Sequence, residues 1–206
     1  MSTIVDIILS VLLGGILLLV VLSANDLTAE TTYMLNGDLF VQQMLVSIVQ
    51  IVEGEIRNMG YGIPDSLGAT VVGAQDTAIA FREDLGLDGV IDTVRYYAGP
   101  VSELAHTQND SDRFLYRQIN SSPRSAIGVV TRFQLRYFSQ GQADTLVPPI
   151  PSEDLVSIKI VEITLEVQNP YALYRHQSQV GPGERNALYS SSMWRQTRLA
   201  SQNLRR

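Results

Sequence analysis

Apolar and polar residues follow three successive rhythms along this chain. From Ile7 to Leu22 there is almost no alternation: Ile7, Ile8, Leu9, Val11, Leu12, Leu13, Ile16, Leu17, Leu18, Leu19, Val20, Val21 and Leu22 are interrupted only by Ser10, Gly14 and Gly15. Such a run reads as a helix in lipid, where small residues also let neighbouring helices approach closely. At about 1.5 Å per residue it covers ~24 Å, less than a hydrocarbon core of roughly 30 Å, so the expected span is Ile4–Ala24. Asp6 then sits at or inside the interface, where a carboxylate is costly unless it reaches the headgroups or meets a positive partner. No Lys or Arg precedes Ile7 and no clear Ala-x-Ala site follows the run, which argues against a cleaved secretory signal. The same lack of basic flanks leaves the orientation unread from charge.

The second rhythm has steps of three and four. Phe40, Val41, Met44, Leu45, Ile48, Val49, Val52 and Ile56 form one stripe, with Gln43, Ser47, Gln50, Gly54 and Arg57 on the other face, the pattern of an amphipathic helix. Glu53 stands one turn before Arg57 in the favourable order, and Gly60, Gly62 and Pro64 supply a stop. Asn36-Gly37 is the expected place for a bend, since both residues disfavour a helix interior.

After Gly68 the period drops to two. Phe133, Leu135 and Tyr137 alternate with Arg132, Gln134 and Arg136; Val161, Ile163, Leu165 and Val167 alternate with Glu162, Thr164, Glu166 and Gln168. Both runs predict half-buried antiparallel strands. Shorter strands are expected at Ala78–Arg82, Val90–Tyr97 and Phe114–Ile119, separated by Asn109-Asp110-Ser111-Asp112 and Ser121-Ser122-Pro123-Arg124. Pro148, Pro149 and Pro151 mark an extended connection, and Gly181-Pro182-Gly183 marks a later loop. The expected organisation is a membrane or filament-core helix over 1–25, its amphipathic continuation over 26–60, and a globular antiparallel β domain over 61–206. The fold class is α+β, a long N-terminal hydrophobic helix packed on an antiparallel β-sheet.

Composition narrows the function. The net charge is −6 and Lys159 is the only lysine, so no nucleic-acid partner is expected. There is no cysteine, which removes disulfides, thiolate metal sites and cysteine nucleophiles. His106 and His176 lie in polar, turn-like stretches without a second ligand at helical or strand spacing. No Gly-x-Ser-x-Gly, Walker or dinucleotide fingerprint is present, and neither an enzyme activity nor a cofactor is expected. Asp84, Asp88 and Asp92 are weak candidates for a Ca²⁺ loop, because Gly86 takes the middle ligand position and Arg95 the place of the closing acid. A hairpin turn, with Gly at positive φ and Asp bonding its own backbone, explains the same residues. Tyr96, Tyr97, Tyr171 and Tyr174 read as strand packing rather than an adhesive patch.

The order of these features resembles the type IV pilin superfamily, in particular the PilW-type minor pilins and the J-type pseudopilins of type II secretion. Glu55-Ile56-Arg57-Asn58-Met59-Gly60-Tyr61-Gly62 is similar to that family's helix end. Ala78–Phe81 followed by Asp88–Tyr97 is similar to its first hairpin. Gly128-Val129 to Tyr137-Phe138, Ile158 to Val167, and Arg198-Leu199 to Asn203-Leu204-Arg205 resemble its remaining strands, so the likeness covers nearly the whole chain. Family members carry a short basic leader and an acid shortly inside the helix. With Met1 removed, Ser2-Thr3-Ile4-Val5-Asp6 places an acid fifth; with Met1 as the mature first residue, the acid is shifted by one.

The resemblance implies a pilin-like structural subunit of an envelope filament, whose Asp6 pairs with the α-amino group of a neighbouring subunit. It further implies an inner-membrane single pass with the β domain outside the cytoplasm. The partners would be membrane lipid, other pilin-like subunits and the envelope assembly machinery. Taken without the resemblance, the residues support anchoring and helix-mediated association. They leave open a stand-alone single-span envelope protein whose β domain binds a ligand or surface, and an anchored enzyme.

Overall fold

A single uninterrupted helix, α1, runs from Ser2 to Asn58. The computed structural model describes residues 2–107, 109–139, 145–169, 172–174, 187–189, 192–200 and 203. At about 1.5 Å per residue, the 57 residues of α1 make a rod of roughly 86 Å, nearly three times a bilayer's hydrocarbon thickness. It stops where the glycines begin: Gly60 has φ +84° and its N–H donates to the Arg82 carbonyl at 2.9 Å, turning the chain from helix towards sheet.

The strands that follow are β1 (Val71–Ala74), β2 (Ala78–Glu83), β3 (Asp92–Ala98), β4 (Arg113–Ile119), β5 (Ser125–Val130), β6 (Arg132–Phe138), β7 (Thr145–Leu146), β8 (Ile160–Gln168), β9 (Ala172–Tyr174), β10 (Ala187–Tyr189) and β11 (Ser192–Leu199). β1 to β5 form an antiparallel meander in chain order. A second sheet has the order β11-β8-β6-β7, and β9 pairs with β10 alone. Pairings are antiparallel throughout. The sheets are tied together where the Leu135 N–H donates to the Asp76 carbonyl at 2.7 Å and the Tyr137 hydroxyl donates to the Gln75 carbonyl at 2.8 Å.

The two sheets and the last third of α1 enclose one core. Val41, Ile48, Val49, Val52 and Ile56 from the helix meet Val71, Phe81, Leu115, Phe133, Leu135, Val161, Ile163 and Leu165. The expected helix stripe is thus the buried face, except that Phe40 at its start stays 49% exposed. Gln43, Ser47, Gln50, Gly54 and Arg57 face solvent, as their phase requires.

Four expectations need correction. Asn36-Gly37 is no break; the helix passes straight through, and Gly37 is buried. A Cβ there would lie 2.0 Å from Asn169 Nδ2, so this glycine is where the domain first presses against the rod. Gly128 to Phe138 is not one strand, because at Thr131 the backbone N–H turns to the Glu166 carbonyl at 2.9 Å and the chain crosses from one sheet to the other. Among the described residues the last strand is Ser192–Leu199, which shares only Arg198 and Leu199 with the expected Arg198–Arg205; Asn203 is not in a strand, and residues 201, 202, 204 and 205 lie outside the described residues. Glu162, expected on the wet side of β8, is 1% exposed. In register, Arg136 of β6 and Arg198 of β11 flank it on either side and lie across it. His176, Tyr171 and Gly181-Pro182-Gly183 lie outside the described residues.

Candidate functional site

From Thr3 to Ala29 every residue of the helix is exposed, so this half of the rod packs on nothing in its own fold. Each apolar side chain from Ile7 to Leu22 keeps at least 50% of its surface. No face of the rod is spared, and an added Cβ at Gly14 or Gly15 would meet nothing within 4 Å. This helix is long and apolar enough to span a membrane. Four of its hydroxyls are already served from within. Ser10 Oγ donates to the Ile7 carbonyl at 2.9 Å, and Thr28, Thr31 and Thr32 each donate to the carbonyl four residues back at 2.8 Å. Burying these four side chains against lipid or another helix would therefore strand no donor.

The apolar surface also runs past any single bilayer. Leu27, Tyr33, Leu35, Leu39 and Phe40 are 49–73% exposed on the stretch between the expected span and the domain. All charges on the rod before Arg57 are acidic: Asp6, Asp26, Glu30, Asp38, Glu53 and Glu55. Asp6 has no ion-pair partner among the described residues.

About 70 Å along the rod from Asp6, two acids fix its other end. Glu55 takes Arg117 of β4 in a two-pronged pair, with Arg117 Nε at 3.0 Å from Oε2, and also accepts the Tyr96 hydroxyl of β3. Glu53 reaches the other sheet: it accepts Thr197 Oγ1 at 2.6 Å and Arg195 Nε at 2.9 Å, both from β11, and Arg57 at 3.4 Å. Neighbouring acids thus clamp the helix to the two different sheets.

The charges respond accordingly. Burial alone would raise the Glu53 carboxyl, but the Thr197 and Arg195 hydrogen bonds and the Arg195 charge, with Arg57, hold it below the usual range. Burial first and then the Glu55 carboxylate keep the Tyr96 hydroxyl protonated far above its ordinary value, while the Glu55 hydrogen bond holds Arg117 firmly charged. The last turns of α1 are therefore tied to both sheets at once. Compared with protein-family models, with curated proteins and with solved structures, the chain has no match.

The structure separates the remaining sequence candidates. Asp84 accepts the Asp88 N–H at 3.1 Å and the Gly89 N–H at 3.0 Å, and Asp88 accepts the Val90 N–H at 2.9 Å, so both are engaged in the β2–β3 turn. Asp92 accepts Asn120 Nδ2 at 2.6 Å. No cluster of three or more His, Asp or Glu side chains suited to a metal occurs among the described residues. His106 is exposed. Tyr96 is buried in the core, and Tyr97 packs on Tyr116 with ring centroids 5.4 Å apart.

Sequence reasoning named the Glu53–Arg57 pair and missed the rest of the clamp. Glu53 lies in phase with Val49, Val52 and Ile56 on the stripe, and an acid in a buried phase is the signal that it has a partner across the fold. No comparable signal exposes Arg117 or Arg195, which sit on strands at positions a solvent-facing arginine would also fill.

Proposed function

We propose that this chain is a structural subunit of a pilus-like or pseudopilus-like envelope filament, anchored in the bilayer and assembled through its N-terminal helix. The observation that carries this reading is the free part of α1. It is apolar on every side, it continues as one rigid rod well past the thickness of a membrane, and the apolar residues Leu27, Leu35, Leu39 and Phe40 remain exposed beyond the span. A tether needs about twenty apolar residues and any linker. A packing element needs straightness, apolar surface continuing beyond lipid, and a rigid joint to its domain.

Energetics favour the same route. Within Ile4–Ala24, lipid and a bundle of like helices are about equally apolar, so packing and polar pairing decide the transfer. Outside the bilayer the balance differs, since burying each exposed Leu or Phe gains about 1 kcal/mol or more. Several such residues give the assembled state a drive that the membrane alone does not supply, against the cost of fixing the subunit. Asp6 completes the scheme by pairing with the α-amino group of a neighbouring subunit in the bundle. The β domain is carried on the outside, outside the cytoplasm.

Replacing Ile4–Leu22 by an unrelated apolar helix of equal length tests the reading. Expected are normal membrane insertion and loss of crosslinks to neighbouring subunits. Unchanged function and unchanged neighbours would instead leave a single-span protein with a plain anchor.

A further inference from the structure

Glu83 is the most anomalous charge in the domain. It ends β2 on the same face as Ile79 and Phe81, is 2% exposed, and its Oε1 atom has no hydrogen-bond partner among the described residues. Directly across the ladder stands another acid, Asp92, an arrangement that opposes folding unless something positive intervenes. Arg117 of β4, whose charge Glu83 feels, is already committed to Glu55 of α1. Asp84 follows in the chain with its oxygens on the Asp88 and Gly89 amides.

Beside Glu83 lies a recess of about 220 Å³, lined by Asn58, Tyr61, Glu83, Asp84, Leu85 and Leu87. Its shape is fixed by backbone: Gly60 N–H donates to the Arg82 carbonyl and Asp84 N–H to the Tyr61 carbonyl, both at 2.9 Å, locking the turn after α1 onto the end of β2. The recess is thus lined by two acidic residues, a tyrosine and two leucines, with Leu87 73% exposed. A carboxylate pair wants a positive head, an aromatic face adds to the attraction of a cation, and exposed leucines suit an alkyl stem.

We propose that the recess between the end of α1 and the β2–β3 turn binds a small organic cation, an alkylammonium or alkylguanidinium, with Glu83 as its counter-ion. The volume holds a guanidinium on a three- or four-carbon stem. Burial pushes the Glu83 carboxyl up to about 7, helped by the Glu55 and Asp92 charges and opposed by Arg117. A cation therefore binds the ionised form, and its affinity rises with pH through that region.

The test uses the full chain in detergent micelles and butylguanidinium as probe, read by the thermal unfolding midpoint. At pH 8 a saturable rise in the midpoint is expected; butylurea, neutral and of the same shape, gives none. The apparent dissociation constant should weaken about tenfold between pH 8 and pH 6. Glu83→Gln should abolish the response while leaving the unliganded chain folded. Equal effects of butylurea and butylguanidinium, a response unchanged in Glu83→Gln, or a wild-type affinity flat from pH 6 to pH 8 would each overturn the proposal. So would stabilisation by Ca²⁺ at matched ionic strength without any by the probe.

Discussion

Replacing Glu83 by glutamine should stabilise the protein, and by an amount that depends on pH. The carboxyl is raised from 4.5 to about 7, first by burial and then by Glu55 and Asp92. Below 4.5 the folded and unfolded states both hold the proton, and Glu83 costs nothing beyond burying a neutral group. Between these values the folded state keeps a proton that the unfolded state releases, so stability falls by about 1.4 kcal/mol per pH unit as pH rises. Above about 7 the slope ends, with a loss of about 3 kcal/mol in total. Glutamine has nearly the shape of the protonated acid and no charge to desolvate. Glu83→Gln should thus match wild type within about half a kcal/mol at pH 4.5 and exceed it by about 3 kcal/mol at pH 8. For a domain of this size that is roughly 6–12 °C in the unfolding midpoint. Near-ultraviolet circular dichroism of the full chain in detergent, without added amines, would follow it. A difference that stays constant from pH 4.5 to pH 8, or a variant less stable than wild type at pH 8, would refute the reasoning.

Removing the clamp should do the opposite. Arg117→Met leaves Glu55 and Glu83 facing each other without their shared cation and should cost about 3 kcal/mol in denaturant unfolding. Adding Glu55→Gln should return part of that loss, giving a coupling energy in a double-mutant cycle. Gly37→Ala forces Asn169 aside and should destabilise by about 1–2 kcal/mol, whereas Gly54→Ala, with nothing within 4 Å of the new methyl, should stabilise by up to about 1 kcal/mol. Hydrogen exchange of the helix amides around each site would tell the two apart. Asp6→Ala should leave membrane insertion intact and lower the yield of subunit crosslinks; equal yields in mutant and wild type would remove charge pairing from the scheme.

Where pattern alone controls structure, the fold was legible. The alternations at Phe133–Tyr137 and Val161–Val167 became β6 and β8, and the three- and four-residue steps from Val41 to Ile56 became the buried face of α1. What stayed hidden depended on partners distant in sequence. Glu162 alternates like a surface residue, and only the register of β6 and β11 brings Arg136 and Arg198 over it. Gly37 looks like a helix breaker until Asn169 arrives against it, more than a hundred residues later in the chain. The turn at Thr131 is unreadable because no Gly, Pro, Asn or Asp marks Val129–Phe133, where the chain changes sheets. β11 was displaced because its exposed Trp194 and the polar run Arg195-Gln196-Thr197-Arg198 weaken the alternation that marks β8. Of the candidate sites, the apolar run was plain because a single helix carries it. The Glu83 recess was not, since Asn58, Tyr61 and the β2–β3 turn meet only in three dimensions.

Cysteine scanning along α1 decides between a packing helix and a plain anchor, because the chain has no cysteine of its own. Single cysteines placed from Val11 through Leu39 would be oxidised in cells, and any crosslinked products identified. Packing of like helices predicts crosslinks that rise and fall with a helical period, and that continue at Leu27, Leu35 and Leu39, outside the lipid. A chain that stays monomeric at every position, in its own membrane and with its natural neighbours present, would contradict the account.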